Sequence, residues 1–495
     1  MSMARRGLQL VFAATAAFAL STARHDAAFA LSTPRENVCA RLAIDTLHEI
    51  RVENAAPDRC LAKALRAAKD LSDEERGLAA SSVLGCASRL KRYEWILGAR
   101  GVRSADGADV AARLLLEHAD ETAAPLRDAL AARVGGAAAP RNPVPWPDGG
   151  DDALATRSGV PLWLARRLRR DFGDAVAAEV AFNSTLRGPV TLRVAGGFDL
   201  ETVARQIGAA RPPESLGAPR ALTLPYGRPR GGVWALPGWD DGAFEVQDAG
   251  SQAVAEACGG GGTALDFCAG NGGKTLALAE RFESVWCHDV DASRLARLRA
   301  RAAKAGVARR VFCSDEAPLP AGPFDAVLVD APCSGSGVLR RFGRTVDFAA
   351  GAGDADLDDV LDAHAALRRA RDRNAGDADL DDVLDAHAAL RRARDRVADA
   401  RSGEALAELA ELQLAILRRA ADAAADRLVY ATCSVLAEEN AAVVRAFEAS
   451  PAARGFEPWD FDASLEGAAG HARTLLPSAR ADGFFVARWR RAPST

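Results

Sequence analysis

The spacing of apolar positions changes along the chain and divides it into segments. From Glu36 to about Val134 apolar residues recur at steps of three and four, as in VCARLAIDTLHEI and ERGLAASSVLGCASRLKRYEWIL. That period belongs to amphipathic helices and predicts a small all-α unit over residues 36–134. Asp73 after Ser72, with Glu74 and Glu75 next, reads as a helix start. Residues 135–152, GGAAAPRNPVPWPDGGDD, carry four prolines and four glycines and form a linker, since neither residue propagates a helix or strand. Over 153–240 a helix around Trp163 and Leu164 is followed by the short strand TLRV, a small α+β segment. From 241 onward apolar runs of strand length (TALDF, SVWCHDV, RRVFC, FDAVLVD) alternate with helical stretches. Such alternation predicts an α/β fold whose doubly wound sheet is rich in parallel strands, with ligands at the strands' carboxyl ends.

The first 35 residues follow a different pattern. Arg5 and Arg6 precede an apolar run from Leu8 to about Leu20, then small residues: the layout of a signal peptide, with an ordinary amphipathic first helix as the alternative. Arg24, Arg35, hydroxyl residues and an AAFA step at 27–30 come next, and the two parts together resemble the bipartite targeting sequences of algae with secondary plastids. The implied location is a plastid, with mitochondrion or cytoplasm as alternatives. No other stretch reaches the roughly 18 apolar residues a span needs, so no membrane segment is expected in the mature protein.

Nine cysteines, an odd number with no CxxC pair, argue against a zinc cage or disulfide framework and for a reducing compartment. The net charge of −4 counts against nucleic-acid binding until its distribution is considered. Residues 352–373 recur unchanged at 375–396, each copy holding six Asp against four Arg; the pair accounts for the whole of the −4 and lies in an insertion at about 345–400. Two copies are too few for a solenoid, and the insertion reads as a solvated helical excursion. His364 and His387 belong to it and have no second ligand at useful spacing, so no metal is expected. Arg166, Arg167, Arg169 and Arg170 read either as a solvated face or as an RNA-docking surface of guanidinium forks. The tryptophans at 234, 239, 286 and 459 are expected in the core.

Candidate chemistry gathers at the predicted strand ends. The first strand closes on Asp266 and Cys268 and enters a glycine-rich turn, Ala269, Gly270, Asn271, Gly272 and Gly273, before a helix from about Lys274. Such a turn admits close backbone approach by a polar ligand. GGKT imitates a phosphate-binding loop, but that pattern needs glycine where Cys268 stands. Asp289, about twenty residues further, suits ribose hydroxyls. Asp315 follows the third strand, and Asp330 ends the fourth just before Pro332, Cys333 and Ser334; Cys433 stands in a similar break, YATCSVLAEEN. An inert core thiol has no reason to recur at ligand-facing strand ends.

LDFCAGNGGKT, HDVDASRL, VDAPCSGSGVLRR, YATCSVLAEEN and RTLLPSARADGFFVARW, in this order, resemble the Sun/RsmB family of RNA cytosine-5 methyltransferases over roughly Gln247 to Arg491. The phrase RGLAASSVLGCASRL resembles the RNA-binding helical domain shared with the NusB antitermination factor; a purely structural bundle is the alternative. The resemblance implies a Rossmann-like methyltransferase domain over 241–491 behind a NusB-like domain and a small RNA-docking segment, acting as a monomer on RNA, with small-subunit ribosomal RNA as the main candidate and tRNA the alternative. It implies that Cys268 to Lys274 cradle S-adenosyl-L-methionine, that Asp289 holds its ribose and Asp315 its adenine side, and that Asp330 sits between cofactor and base. Cys433 is then the nucleophile and Cys333 the thiol that assists release, with the reverse assignment the alternative, because DNA cytosine methyltransferases attack with a Pro-Cys thiol. The family's loop carries alanine and proline where Gly270 and Asn271 stand, which predicts a looser loop here. A second function class, a ribosome-assembly scaffold without catalysis, predicts neither cofactor binding nor an adduct.

Overall fold

The structure, a computed structural model, describes residues 33–53, 57–102, 107–122, 126–134, 144–186, 188–224, 232–314, 322–341 and 403–492. The N-terminal 32 residues, Asp315 and the duplicated insertion with His364 and His387 lie outside them.

The chain divides into two compact units, the first running to Leu162. It contains α1 (Thr33–Glu53), α2 (Pro57–Ala67), α3 (Asp73–Ser88), α4 (Leu90–Ala99), α5 (Gly107–Thr122), α6 (Arg127–Arg133) and α7 (Gly150–Ser158). The apolar faces of α1 to α6 converge on a core that includes Leu47, Val83, Tyr93, Leu114, Leu126 and Leu130. α3 starts where Ser72 and Glu75 complete a capping box, each side chain accepting the other's backbone N–H. α7 begins at Gly150, inside the predicted linker, which is therefore shorter at its end than 152, and the helix belongs to this unit: Arg92 of α4 donates to the Arg157 carbonyl at 2.6 Å.

In the second unit α8 (Leu162–Asn183) is broken at Gly173, whose φ is +73°. Next come β1 (Thr191–Val194), α9 (Leu200–Ile207), β2 (Ala221–Thr223) and β3 (Phe244–Val246), the strands forming an antiparallel sheet ordered β2-β1-β3. Leu192, Val194, Val203, Leu222 and Phe244 are its core. The expectation of four core tryptophans is corrected: Trp239 and Trp286 pack partly buried against the core, Trp459 lies half-buried under Arg488 and Arg490, and Trp234 is 57% exposed, because the turn at Val233–Ala235 points Val233 inward instead.

The main sheet is built from β4 (Gly261–Asp266), β5 (Phe282–Cys287), β6 (Val311–Cys313), β7 (Phe324–Asp330), β8 (Ala424–Thr432), β9 (Phe456–Pro458), β10 (Ala468–Ala469), β11 (Ala472–Leu475) and β12 (Phe484–Arg491). Its order is β10-β11-β12-β8-β7-β4-β5-β6, with β9 on β12; the five strands β6-β5-β4-β7-β8 are parallel and β12 joins β8 antiparallel. The helices between are α10 (Ala249–Glu256), α11 (Gly273–Leu278), α12 (Ala292–Lys304), α13 (Gly403–Ala423) and α14 (Ala441–Glu448). Alternate strand residues go to opposite faces. Leu328 and Val429 pack with Val254, Leu278, Leu295 and Leu298 on one side. Val327, Val329, Leu428 and Tyr430 pack with Leu412, Ile416 and Leu417 on the other. Burial on both faces is why these strands read as unbroken apolar runs. The strand order reverses between β4 and β7, the place where such sheets open a crevice.

Gly337 lies where two loops cross. Its N–H donates to the Cys433 carbonyl at 3.0 Å, its own carbonyl accepts from Gly483 N–H at 2.8 Å, and a Cβ there would run into the Gly483 carbonyl oxygen. Backbone cannot yield as a side-chain tip can, so Gly337→Ala is expected to cost about 1–3 kcal/mol of stability. Urea denaturation measures it, and an unchanged midpoint would contradict this account of the crossing.

Candidate active site

β7 and β8 run parallel with Asp330 opposite Ala431, and Ala331 N–H donates to the Ala431 carbonyl at 2.8 Å. The chain leaves both strands at the same edge, which brings the two cysteine turns together. The Cys333 and Cys433 sulfurs stand 3.2 Å apart without a disulfide between them; Cys333 is buried and Cys433 partly exposed. The two cysteine motifs thus meet at one sheet edge.

Beside them Lys274, at the start of α11, donates to Asp330 at 2.7 Å across the gap between β4 and β7. Burial alone would lower the Lys274 pKa, but Asp330, the Cys433 sulfur and Asp266 outweigh it and raise it. The ammonium is thus a lasting positive charge next to the half-buried thiol, the surroundings that favour a thiolate. Asp266, under the turn, accepts from Thr275 Oγ1 at 2.7 Å and leaves its buried Oδ1 without a hydrogen-bond partner. Burial pushes its carboxyl up to about 7, with Asp330 and Asp289 adding to the rise and the Thr275 bond opposing it.

The glycine turn is shaped by positive φ at Gly270 (+57°) and Gly272 (+84°); a Cβ on the latter would meet Leu298. Asp289, two residues past β5, accepts Gly270 N–H at 2.8 Å and Asp291 N–H at 3.0 Å. Cys268 and Ala269 are buried beneath the turn, and Gly273 opens α11. The expected looseness at Asn271 is countered from α12: Arg297 donates to its side-chain oxygen at 3.0 Å and Arg301 to its carbonyl at 2.5 Å. Asp315 lies outside the described residues.

Several residues that were not among the sequence candidates complete the site. Glu439, fully buried, accepts from Ser334 N–H, Ser334 Oγ, Ser434 Oγ and Gln413 Nε2. A serine directly after each cysteine and the EEN ending of YATCSVLAEEN were the available signals. Arginines of α8 enter ion pairs. Arg167 and Arg170 pair with Glu438 at 3.3 and 3.0 Å, Arg170 also with Asp171 at 2.6 Å, and Arg169 with Asp174 at 2.7 Å. Arg167, 15% exposed, thus braces the loop of Cys433, and Arg170 reaches the same carboxylate while its side chain stays largely in solvent. Arg340 and Arg341, after Cys333, both pair with Asp482, and Arg341 also with Asp248 at 3.2 Å. A separate cavity of about 380 Å³, lined in part by Arg211, Arg473 and Arg488, contains none of these residues. Its buried Arg473 is committed to the Glu466 and Ser215 carbonyls.

Among characterised proteins, the ribosomal RNA small subunit methyltransferase B of Xylella fastidiosa strain Temecula1 is 34% identical over 352 residues, 68% of each chain. A family model described as 16S rRNA methyltransferase RsmB/F matches residues 257–351 and 363–490. The chain belongs to the RsmB/F methyltransferase family. The Vibrio cholerae protein of the same name is 31% identical over 362 residues, again 68% of each chain. That of Xanthomonas campestris is 38% identical over 208 residues, 46% of its length. A solved structure, PH0851, shares the fold with a TM-score of 0.60 at 19% identity, over 93% of this chain and 100% of its own.

As an RsmB/F enzyme the protein is an RNA methyltransferase, and S-adenosyl-L-methionine is its cofactor. The turn suits that group: the Asp289 carboxylate stands at the carboxyl end of β5 against the Gly270 N–H of the glycine turn, the place where a ribose hydroxyl can be accepted. The orphaned Asp266 oxygen supplies unspent negative polarity beneath the same turn.

Asp266 makes stability depend on pH with a defined sign. Its folded pKa of about 7 lies above the unfolded value near 3.9, so the folded state binds the proton more tightly and its contribution to stability falls as pH rises through that window. Asp266→Asn, which keeps an acceptor for Thr275, is expected to remove this part of the decline. Denaturation midpoints of both proteins between pH 5 and 8 measure it; parallel pH profiles would show that the carboxyl does not titrate as described.

Proposed function

We propose that this protein methylates carbon 5 of cytosine in small-subunit ribosomal RNA through a covalent adduct on Cys433. The observation that carries the reading is the pair of thiols 3.2 Å apart beside the Lys274–Asp330 ion pair, at the sheet edge next to the glycine turn. The choice of RNA rests on the relatives, which are named for the small subunit.

Carbon 5 of cytosine is too electron-poor to attack a methyl group unaided. The Cys433 thiolate adds to carbon 6, and the displaced electron pair makes carbon 5 nucleophilic. Lys274 favours the thiolate before this step. Ring nitrogen 3, where negative charge develops, needs a donor: the second oxygen of Asp330 serves when it carries a proton, while the first keeps the Lys274 bond. When bound, S-adenosyl-L-methionine supplies the methyl group to carbon 5. A base then removes the carbon 5 proton, the carbon–sulfur bond breaks and its electrons return to Cys433, with Cys333 at hand to assist release. Because both faces of the ring must be reached, the base is unstacked, which favours single-stranded or locally opened RNA.

The α-helical unit over 36–134 is read as a NusB-like RNA-binding domain, on the strength of RGLAASSVLGCASRL and its helical core. The residues before Glu36 are read as plastid targeting, from the signal-like run followed by a basic segment. Among the described residues no helix is long and apolar enough to cross a membrane. The working state is read as a monomer that binds RNA.

Cys433→Ser is expected to reduce turnover at least about 1000-fold and to abolish the covalent complex with RNA containing 5-azacytosine. Cys333→Ser should let a complex accumulate on ordinary RNA, seen as a shifted band on a denaturing gel. The opposite pattern would make Cys333 the nucleophile, and no complex with either would refute the covalent route. Bisulfite sequencing of plastid small-subunit ribosomal RNA should show one or more cytosines that lose protection when the protein is removed; protection lost only in tRNA would reassign the substrate.

A further inference from the structure

The two thiols belong to turns separated by a hundred residues, and one buried carboxylate connects them. Glu439 sits in the loop between β8 and α14. Its Oε1 accepts from Ser334 N–H at 2.7 Å and Gln413 Nε2 at 3.0 Å; its Oε2 accepts from the hydroxyls of Ser334 and Ser434, each at 2.6 Å. Ser334 follows Cys333 and Ser434 follows Cys433. Gln413, on α13, also donates to the carbonyl of Pro332 at 2.8 Å, so the same knot reaches the residue before Cys333. Tyr430 closes it from β8, donating to the Glu439 carbonyl at 2.6 Å.

We infer that Glu439 is a positioning residue that holds the Cys333 and Cys433 turns as one unit, keeping the thiol that adds and the thiol that releases on the same base. The inference rests on the reading of those two thiols given above. Four donors converge on two oxygens, an arrangement that suits an acceptor-only carboxylate. An amide of equal shape has one acceptor oxygen and would aim its NH₂ at donors. The two turns do not depend on Glu439 equally. Two of its four bonds end on Ser334 and one on Ser434. Without them the Cys333 turn keeps Gln413 on Pro332 and the Ser336–Ser434 hydroxyl contact, whereas Asn440 clamps the Cys433 turn on both sides of the cysteine, accepting from Thr432 Oγ1 at 2.6 Å and donating to the Ser434 carbonyl at 2.9 Å. Loss of the carboxylate therefore frees the Cys333 turn first, and release should suffer more than addition.

The test compares Glu439→Gln with wild type in the full-length protein. Expected are a turnover lowered by about a hundredfold, the scale of an ångström of misplacement, an unchanged KM for RNA, and a covalent complex that accumulates on ordinary RNA. Independently of RNA, the oxidant diamide should convert Cys333 and Cys433 of the wild type to a disulfide, detected by mass spectrometry, and do so several-fold more slowly in the variant. If Glu439→Gln does not fold, Ser334→Ala, which removes one of the four bonds, should show the same two effects more weakly. Disulfide formation at the wild-type rate in the variant, or its absence from the wild type, overturns the inference whatever the RNA result. Normal diamide behaviour with no adduct from wild type on 5-azacytosine RNA would instead defeat the covalent reading and leave the clasp standing. A loss of activity that only tracks the loss of folded protein by circular dichroism would reduce Glu439 to a structural residue and overturn its positioning role.

Discussion

The parallel pairing of β7 with β8 is the constraint on which the site depends. Asp330 lies opposite Ala431, so the two chains leave the sheet in step, and Cys333 and Cys433 follow within three and two residues. A slip of one residue would turn alternate side chains to the other face and separate the turns. The buried sets Val327, Val329, Leu428 and Tyr430 on one face, and Leu328 and Val429 on the other, hold that register. The connection between the strands matters much less. Closure entropy grows only slowly with loop length, so the crossover accommodates the duplicated insertion while the register sets where the sulfurs meet.

The same sheet separates thiols that are inert from thiols that are poised. Burial pushes Cys258 up, and for Cys287 the neighbouring Cys313 and burial act together in the same direction; such thiols are packing groups. Cys433 differs in being partly exposed and in having the Lys274 ammonium as a neighbour. Beneath them Asp266 is kept largely desolvated, which gives the glycine turn a polar floor without a surface carboxylate.

Charge in this molecule is spent mostly on holding loops. Arg167 and Arg170 reach Glu438, more than 260 residues away in sequence, and Arg340 with Arg341 reaches Asp482, about 140 residues away. Each of these ties fixes a segment next to one of the two cysteines. A buried pair such as Arg340–Asp482 adds little net stability, because desolvation offsets the attraction, but losing one partner leaves the other charge uncompensated. Their contribution is to specify one arrangement of the loops.

What the sequence determined was whatever short-range periodicity and local chemistry encode. Helix period in the first unit, buried strands ending at Asp266 and Asp330, the glycine turn and the two cysteine motifs were all legible, because each depends on neighbours within a turn or a strand. The antiparallel placing of β12 beside β8, the Glu439 knot, the pairing of α8 arginines with Glu438 and the outward Trp234 were not. In each of these the deciding partner is distant in sequence or the choice lies between two apolar side chains of one turn. Only the folded sheet brings such groups within a few ångströms, where desolvation and hydrogen-bond geometry select among pairings that the linear order leaves open.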